Sequence, residues 1–160
     1  MTANTGRTTQ KWVTFLVDDS GGTLREIPVD TINGIGLTYD ETDLTAFQDA
    51  IKGVLPATPD CTITIGGPLD TTAAGTPPTL SGSHTVLSAI NGGTTPLALD
   101  VRIGIRHTWE AGEPTFGITG TTTAGFLCTD YQVDPAGKYT AKFRVYAGST
   151  APVWATAAHT

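Results

Sequence analysis

The side chains best equipped for chemistry crowd into residues 106–114, "RHTWEAGEP", where Arg106, His107, Glu110 and Glu113 set a cation, an imidazole and two carboxylates within nine residues. An acid–base pair needs its members within hydrogen-bond reach of one reacting atom. Period-two alternation works against that here. His107 and Trp109 continue the inward series of Ile103 and Ile105, while Arg106 and Glu110 continue the outward one, so the two sets face opposite sides of a strand. "EAGEP" then reads as a turn punctuated by Gly112 and Pro114, and His107 as a hydrogen-bonded structural histidine at a sheet rim. Glu110 and Glu113 imitate the carboxylate pair of a glycosidase, but across a turn they need not converge and are expected in solvent.

Other candidates dissolve in the same way. "DDSGG", with Asp18 and Asp19, lacks the ligand spacing and closing glutamate of a calcium loop and reads as turn chemistry. "GGTLRE" and "GIGLTYD" hold glycines without the strand–GxGxxG–helix context of a dinucleotide site. His84 falls in the first turn of a helix, where the positive dipole end disfavours an imidazolium, so it should cap or pack. Cys61 and Cys128 lack zinc spacing and sit in apolar runs as small hydrophobes; nothing in the sequence supports a bond between them. No catalytic residue, metal ligand or cofactor site emerges, and the chain is expected not to be an enzyme.

The elements that would position these residues are mostly strands. Leu97, Leu99, Val101, Ile103 and Ile105 alternate with Ala98, Asp100, Arg102, Gly104 and Arg106, predicting a half-buried strand. "KYTAKFRVY" repeats the pattern with Tyr139, Ala141, Phe143 and Val145 inward. Residues 11–17, 61–65 and 126–133 are further strands, rich in β-branched and aromatic residues. Residues 23–27 should pair with 11–17 through "DDSGG", and "DPAG" should close a hairpin between 131–133 and 138–145. One helix is predicted over 83–91, with Ser83 as N-cap, Val86, Leu87 and Ile90 on its packed face, and Asn91-Gly92 as its stop. The fold class expected is mainly β, a two-sheet sandwich or barrel with one short flanking helix and a long extended arm. One domain spans 1–160, with a flexible terminus over 1–10 and the Gly/Pro/Thr stretch 66–82 as an internal connection.

The arm, residues 28–60, poses an energetic question. It is longer than the loops usual in compact domains. Leu44, Phe47 and Ile51 have helical spacing, yet Gly53 and Pro56 stop a helix early, and an extended arm with one helical turn fits equally. Ordering each residue costs about 1–2 kcal/mol, whereas each large side chain buried on a neighbour returns roughly 1.5–3 kcal/mol. Leu44, Phe47, Ile51, Val54 and Leu55 are therefore candidate intersubunit residues, accompanied by the acidic Asp40, Glu41, Asp43 and Asp49.

Composition points the same way. Across 160 residues, nine Lys plus Arg face fifteen Asp plus Glu, a net charge of −6 that disfavours a grip on nucleic-acid phosphates. Charged residues are 15% of the chain, against about 25% in typical soluble domains, and a surface sparse in charge favours association. "MTANTGRTTQ" has no secretory core and no run reaches membrane-spanning length, so a soluble chain is expected.

In order, these parts resemble the tail tube (major tail) proteins of long-tailed bacteriophages. The resemblance rests on "DLTAFQDAIKGVLPATPDCTITIGGPLDTTA" (43–73), on "HTVLSAI" (84–90), and on the strand succession "PLALDVRIGIR", "EPTFGITG", "FLCTDYQV", "GKYTAKFRVYAG"; it covers about 11–155. It implies a virion protein, made in the bacterial host cytoplasm, that joins identical copies into hexameric rings and a stacked tube. Its partners would be itself and other phage tail proteins, with no membrane. Genomic DNA would pass through without specific binding, which a negative lumen favours. A capsid decoration or coat protein is the alternative within virions. A β-sandwich module binding carbohydrate or a receptor is another, but it wants clustered exposed aromatics, and Trp12, Trp109 and Trp154 are scattered.

Overall fold

The computed structural model describes residues 3–73, 75 and 80–160; within the 66–82 connection, residues 74 and 76–79 lie outside the described set, as do residues 1 and 2 of the N-terminal segment. The chain is mainly β. After a 3₁₀ turn at Gln10–Trp12 come β1 (Val13–Asp18), β2 (Leu24–Ile27), β3 (Thr31–Asn33), β4 (Thr38–Asp43), β5 (Val54–Asp60), β6 (Thr62–Pro68), α1 (Ser83–Ile90), β7 (Leu99–Ile103), β8 (Thr115–Ile118), β9 (Phe126–Val133), β10 (Lys138–Val145) and β11 (Val153–Ala155). A five-stranded sheet runs β11-β8-β7-β1-β2, a four-stranded sheet runs β3-β6-β10-β9, and β4 and β5 form a ribbon of their own. Neighbouring strands within all three are antiparallel.

Alternation builds the core as expected. In the five-stranded sheet, Ile27, Phe15, Val101 and Phe116 pair in a row across β2, β1, β7 and β8. In the other sheet Ile63 and Phe143 pair across β6 and β10, and the rings of Phe15 and Phe143 meet across the gap with centroids 5.4 Å apart. All of these side chains are buried in one cluster. Helix α1 lies against β2 and β9, adding Val86, Leu87 and Ile90 to that cluster. The two expected hairpins form. The β1–β2 turn is tied by Asp19 Oδ1 accepting from Gly21 N at 2.8 Å, and the β9–β10 turn by Asp134 Oδ1 accepting from Ala136 N at 3.0 Å, with Gly137 at φ 78°.

Strand β9 contains a feature that alternation alone hides. Its register against β10 shifts between Lys142 and Phe143, so that Lys142 faces Asp130 but Phe143 faces Cys128. Thr129 is the extra residue of a β-bulge, which changes the parity of the strand. Phe126 and Cys128 point inward before it, and Tyr131 packs on the core after it. A regular strand would have turned Asp130 and Gln132 into the core instead.

Three local expectations are corrected. The helix N-cap is Gly82, and Ser83 sits inside the first turn with its hydroxyl donating to Pro68 O at 2.9 Å and accepting from Asp70 N at 3.1 Å, so it ties the helix to the end of β6. The helix ends at Ile90, one residue short of expectation, with Gly92 (φ 75°) supplying the left-handed stop. Strand β7 is not half-buried: Leu99, Asp100 and Val101 are all buried, because Thr160 closes over the outer face of its sheet, its carbonyl accepting from Gly120 N at 2.8 Å, and His159 is buried beside it.

The inter-sheet contact sets a stability prediction. Phe143→Ala, which empties a fully buried site, should destabilise the fold by about 3–5 kcal/mol in denaturant titration.

Candidate functional site

Only residues 38–60 of the expected arm form a free β-hairpin; residues 28–37 belong to the body of the fold, with β3 paired to β6 and Val29, Ile32, Ile35 and Leu37 packed on the core. Strands β4 and β5 pair from Thr38↔Asp60 at the base to Asp43↔Val54 near the tip, with a bulge between Tyr39 and Glu41. Pro56 and Pro59 lack the amide a ladder needs, which suits a two-stranded ribbon with a free edge. A lone ribbon is marginally stable, and the tip is held by short side-chain bonds. Asp43 Oδ1 accepts from Thr45 N (2.9 Å), Asp49 Oδ2 accepts from Ala46 N (2.8 Å), and Thr45 Oγ1 accepts from Gly53 N (2.9 Å). The helical spacing of Leu44, Phe47 and Ile51 loses to this network, since Gly53 closes the loop and Pro56 lies inside the returning strand.

Among the described residues, none covers the apolar side chains of the hairpin. Phe47 is fully exposed, Ile51 is 82% exposed, and Leu44, Val54 and Leu55 are each more than two-fifths exposed. Among the described residues, six of the eleven exposed large hydrophobics lie between Tyr39 and Leu55, so the exposure is concentrated rather than scattered. Asp40, Glu41, Asp43 and Asp49 are exposed on the same ribbon; Asp43 meets Lys52 at 3.7 Å, and Asp43 is held below its ordinary pKa by hydrogen bonds from Thr45.

The histidine–carboxylate cluster takes a form the alternation did not give. Strand β7 ends at Ile103, and Arg106 has φ 68°, so the chain leaves the sheet before His107. His107 Nε2 lies 2.7 Å from Glu113 Oε1 and its Nδ1 lies 4.0 Å from Glu110 Oε1; these are ion-pair distances without hydrogen-bond alignment. Glu113 is fully buried, contrary to the solvated reading. It accepts from Asn4 N at 3.0 Å and Glu110 N at 3.1 Å, fastening the N-terminal segment to the 104–113 loop. Burial pushes the Glu113 carboxyl up, but those backbone donors and the His107 charge more than offset it and hold it below its ordinary value. Trp109 is only half-buried and lies on the outer face: Arg102 sits 5.0 Å from its ring centre, and its indole N–H donates to Glu113 O at 3.0 Å.

A second buried cluster was missed. Asp100 accepts from Arg102 Nε (2.8 Å), from His159 N (3.2 Å) and from the Thr115 hydroxyl, and its Oδ1 lies 3.1 Å from His159 Nδ1. It fastens the 159–160 segment to β7. The only sequence signal was an aspartate within "LALDVRI", which alternation assigned to solvent. His84 packs as expected, its Nδ1 2.8 Å from the Tyr131 hydroxyl. Cys61 and Cys128 are free, and burial pushes both thiols up to about 11, so they are protonated at neutral pH. Among the described residues no group of three or more His, Cys, Asp or Glu is arranged to hold a metal, and no helix is long and apolar enough to cross a membrane.

No protein-family model and no curated protein matches the chain. Solved structures do match in fold. A chain in the cryo-EM structure of the anti-feeding prophage cap, the tube terminating cap, aligns with TM-score 0.56 at 12% identity over 98% of this chain and 96% of that one. A chain in the sheath/tube terminator of the extracellular contractile injection system PVC, in its extended state, aligns with TM-score 0.56 at 11% identity over 96% and 99%. One in the PVC sheath–tube complex aligns with TM-score 0.54 at 10% identity over 94% and 93%. At these identities the likeness is one of fold, and it runs the full length of both partners.

Two outcomes are expected. The Glu113 carboxyl titrates lower when folded than unfolded, so its contribution is fully present above the unfolded value and is lost as pH falls through the folded one; Glu113→Gln should therefore flatten the stability decline between neutral and acid pH in denaturant titrations. Asp100→Ala, which leaves Arg102 without its buried counter-charge and His159 without its buried hydrogen-bond partner, should cost about 3–5 kcal/mol in the same measurement at pH 7.

Proposed function

We propose that this chain is a structural subunit of a phage-tail-type particle, a tube protein that assembles with copies of itself into stacked rings, hexameric by the tail-tube resemblance, around a conduit. The observation that carries this is the hairpin: an acidic ribbon bearing the fully exposed Phe47 and the largely exposed Ile51, which none of the described residues covers. Solvent-exposed apolar side chains of this size gain by docking, and identical neighbours offer a surface at every step of a repeating assembly. The full-length fold likeness to chains in tube, cap and terminator structures supports the same class. The net charge of −6 suits a conduit that DNA traverses without adhering.

A second reading within the class is a terminating subunit, favoured by the likeness to the cap and terminator structures being as strong as that to the sheath–tube complex. The two differ in growth. A tube subunit polymerises without limit, whereas a terminator stops at one ring.

Negative-stain imaging of the purified chain should show tubes of stacked rings. Phe47→Ser with Ile51→Ser should leave the circular dichroism and thermal transition of the monomer within error and abolish the tubes. Single rings that never stack would favour the terminator; a monomer at every concentration and salt would overturn both.

A further inference from the structure

The hairpin leaves apolar knobs without a socket, and the same chain carries a socket without a knob. A groove of about 440 Å³ opens where β1 begins beside β3, lined by Gln10, Val13, Val29, Asp30, Thr31, Ile32 and Ile35; the Asp30 carboxylate is already paired with Lys138 at 3.0 Å. The four aliphatic side chains are only half-buried, packed on the core from within and bare toward the groove. Its volume lies in the range of pockets that take a small apolar group. The groove sits at the base of the hairpin, and the six residues of β4 carry the tip roughly 20 Å away at about 3.3 Å per residue. A hairpin cannot fold back into its own groove without breaking the β4–β5 ladder, so the occupant comes from elsewhere.

Charge says from where. Arg25, Lys52, Arg102, Lys138 and Arg144 each pair with a carboxylate. Among the described residues Arg7, Lys11, Arg106 and Lys142 do not. Arg7 and Lys11 flank Gln10 of the groove in the chain, and the Arg106 guanidinium lies beside Gly6. Arg7 and Lys11 are both exposed on the segment that carries Gln10 to the groove, Lys11 with its ammonium 4.7 Å from the centre of the Trp12 ring. The hairpin is their complement, with four carboxylates between residues 40 and 49 against the single cation Lys52.

Resting on the self-assembly reading above, we propose that the groove between Gln10–Val13 and Val29–Ile35 receives the hairpin tip of a second copy, Phe47 and Ile51 filling it while Asp40 and Glu41 face Arg7 and Lys11. Knob and socket occupy different places on one chain, so the contact is head-to-tail. It repeats from copy to copy, consuming one tip and one groove at each step, and gives a ring or an open stack according to the rotation it imposes. Rim charges of this kind set partner orientation and make association salt-sensitive.

The test uses the full chain. Arg7→Glu with Lys11→Glu, or Asp40→Lys with Glu41→Lys, changes only exposed side chains; each pair should raise the concentration at which assemblies form by about ten-fold or more, and joining all four should restore it. In parallel, Gln48→Cys labelled with a benzophenone places a photo-cross-linker next to Phe47, and the buried native thiols stay unlabelled. In assemblies mixed from light and isotope-labelled copies, cross-links are expected from residue 48 of one copy to residues 10–35 of another. Assemblies that form normally but cross-link elsewhere, or ignore the charge reversals, overturn the groove assignment and leave the self-assembly reading standing. If the unaltered chain forms no assemblies under any condition, both fall.

Discussion

Everything in this fold hangs on two antiparallel sheets closing over one apolar layer, with Phe15 of the one against Phe143 of the other. That closure is what permits the rest to be polar, exposed and long. The core draws on every strand outside the hairpin except short β11, and Trp154 of β11 at least lies against Phe116, with ring centroids 5.1 Å apart. The hairpin contributes nothing to it. A ribbon that adds no core burial and displays its own apolar side chains is a net cost to an isolated copy, and such a cost is offset only where those side chains find a surface.

Strands with strict alternation were legible in the sequence because one covered face writes itself into every second residue. Strand β10 is the clearest case, with Tyr139, Ala141 and Phe143 buried and the residues between them exposed. Legibility failed where a second layer covers the other face or where the chain leaves the sheet. Asp100 alternated to the outer side and is buried there by His159, a residue nearly sixty positions away that no local pattern connects to it. Similarly, His107 was placed on a strand that ends at Ile103; a positive φ at Arg106 turns it toward Glu113, and nothing in an arginine announces that conformation. The exposed hairpin residues were picked out by energetics, but their conformation was not. Helical spacing and an extended ribbon compete over the same residues, and the side-chain bonds of Thr45 and Asp49 decide between them. The groove at Val13 and Ile32 was invisible, since its lining comes from separate strands that each read as ordinary sheet.

The two buried carboxylates divide the labour of holding the ends of the chain. Glu113 collects the backbone of Asn4, and Asp100 collects the backbone and ring of His159. Each is a charge in a place where an unpaired charge is expensive, so each fastens its segment more sharply than an apolar contact of similar size could. Both act on the 99–115 stretch, which makes that stretch the common anchor for the two terminal segments and explains why its acid and base residues are occupied with each other.

The extra residue at Thr129 reaches beyond its own strand. Ahead of it, Phe126 and Cys128 enter the interior; behind it, Tyr131 is the side chain that packs on the core. The strand therefore carries a fixed phase mark, like a dropped stitch that lets a knitted pattern be aligned in only one way. Sliding β9 past β10 by one position would turn the inward side chains of both halves outward, and sliding it by two would carry the bulge away from its place opposite Lys142 and Phe143.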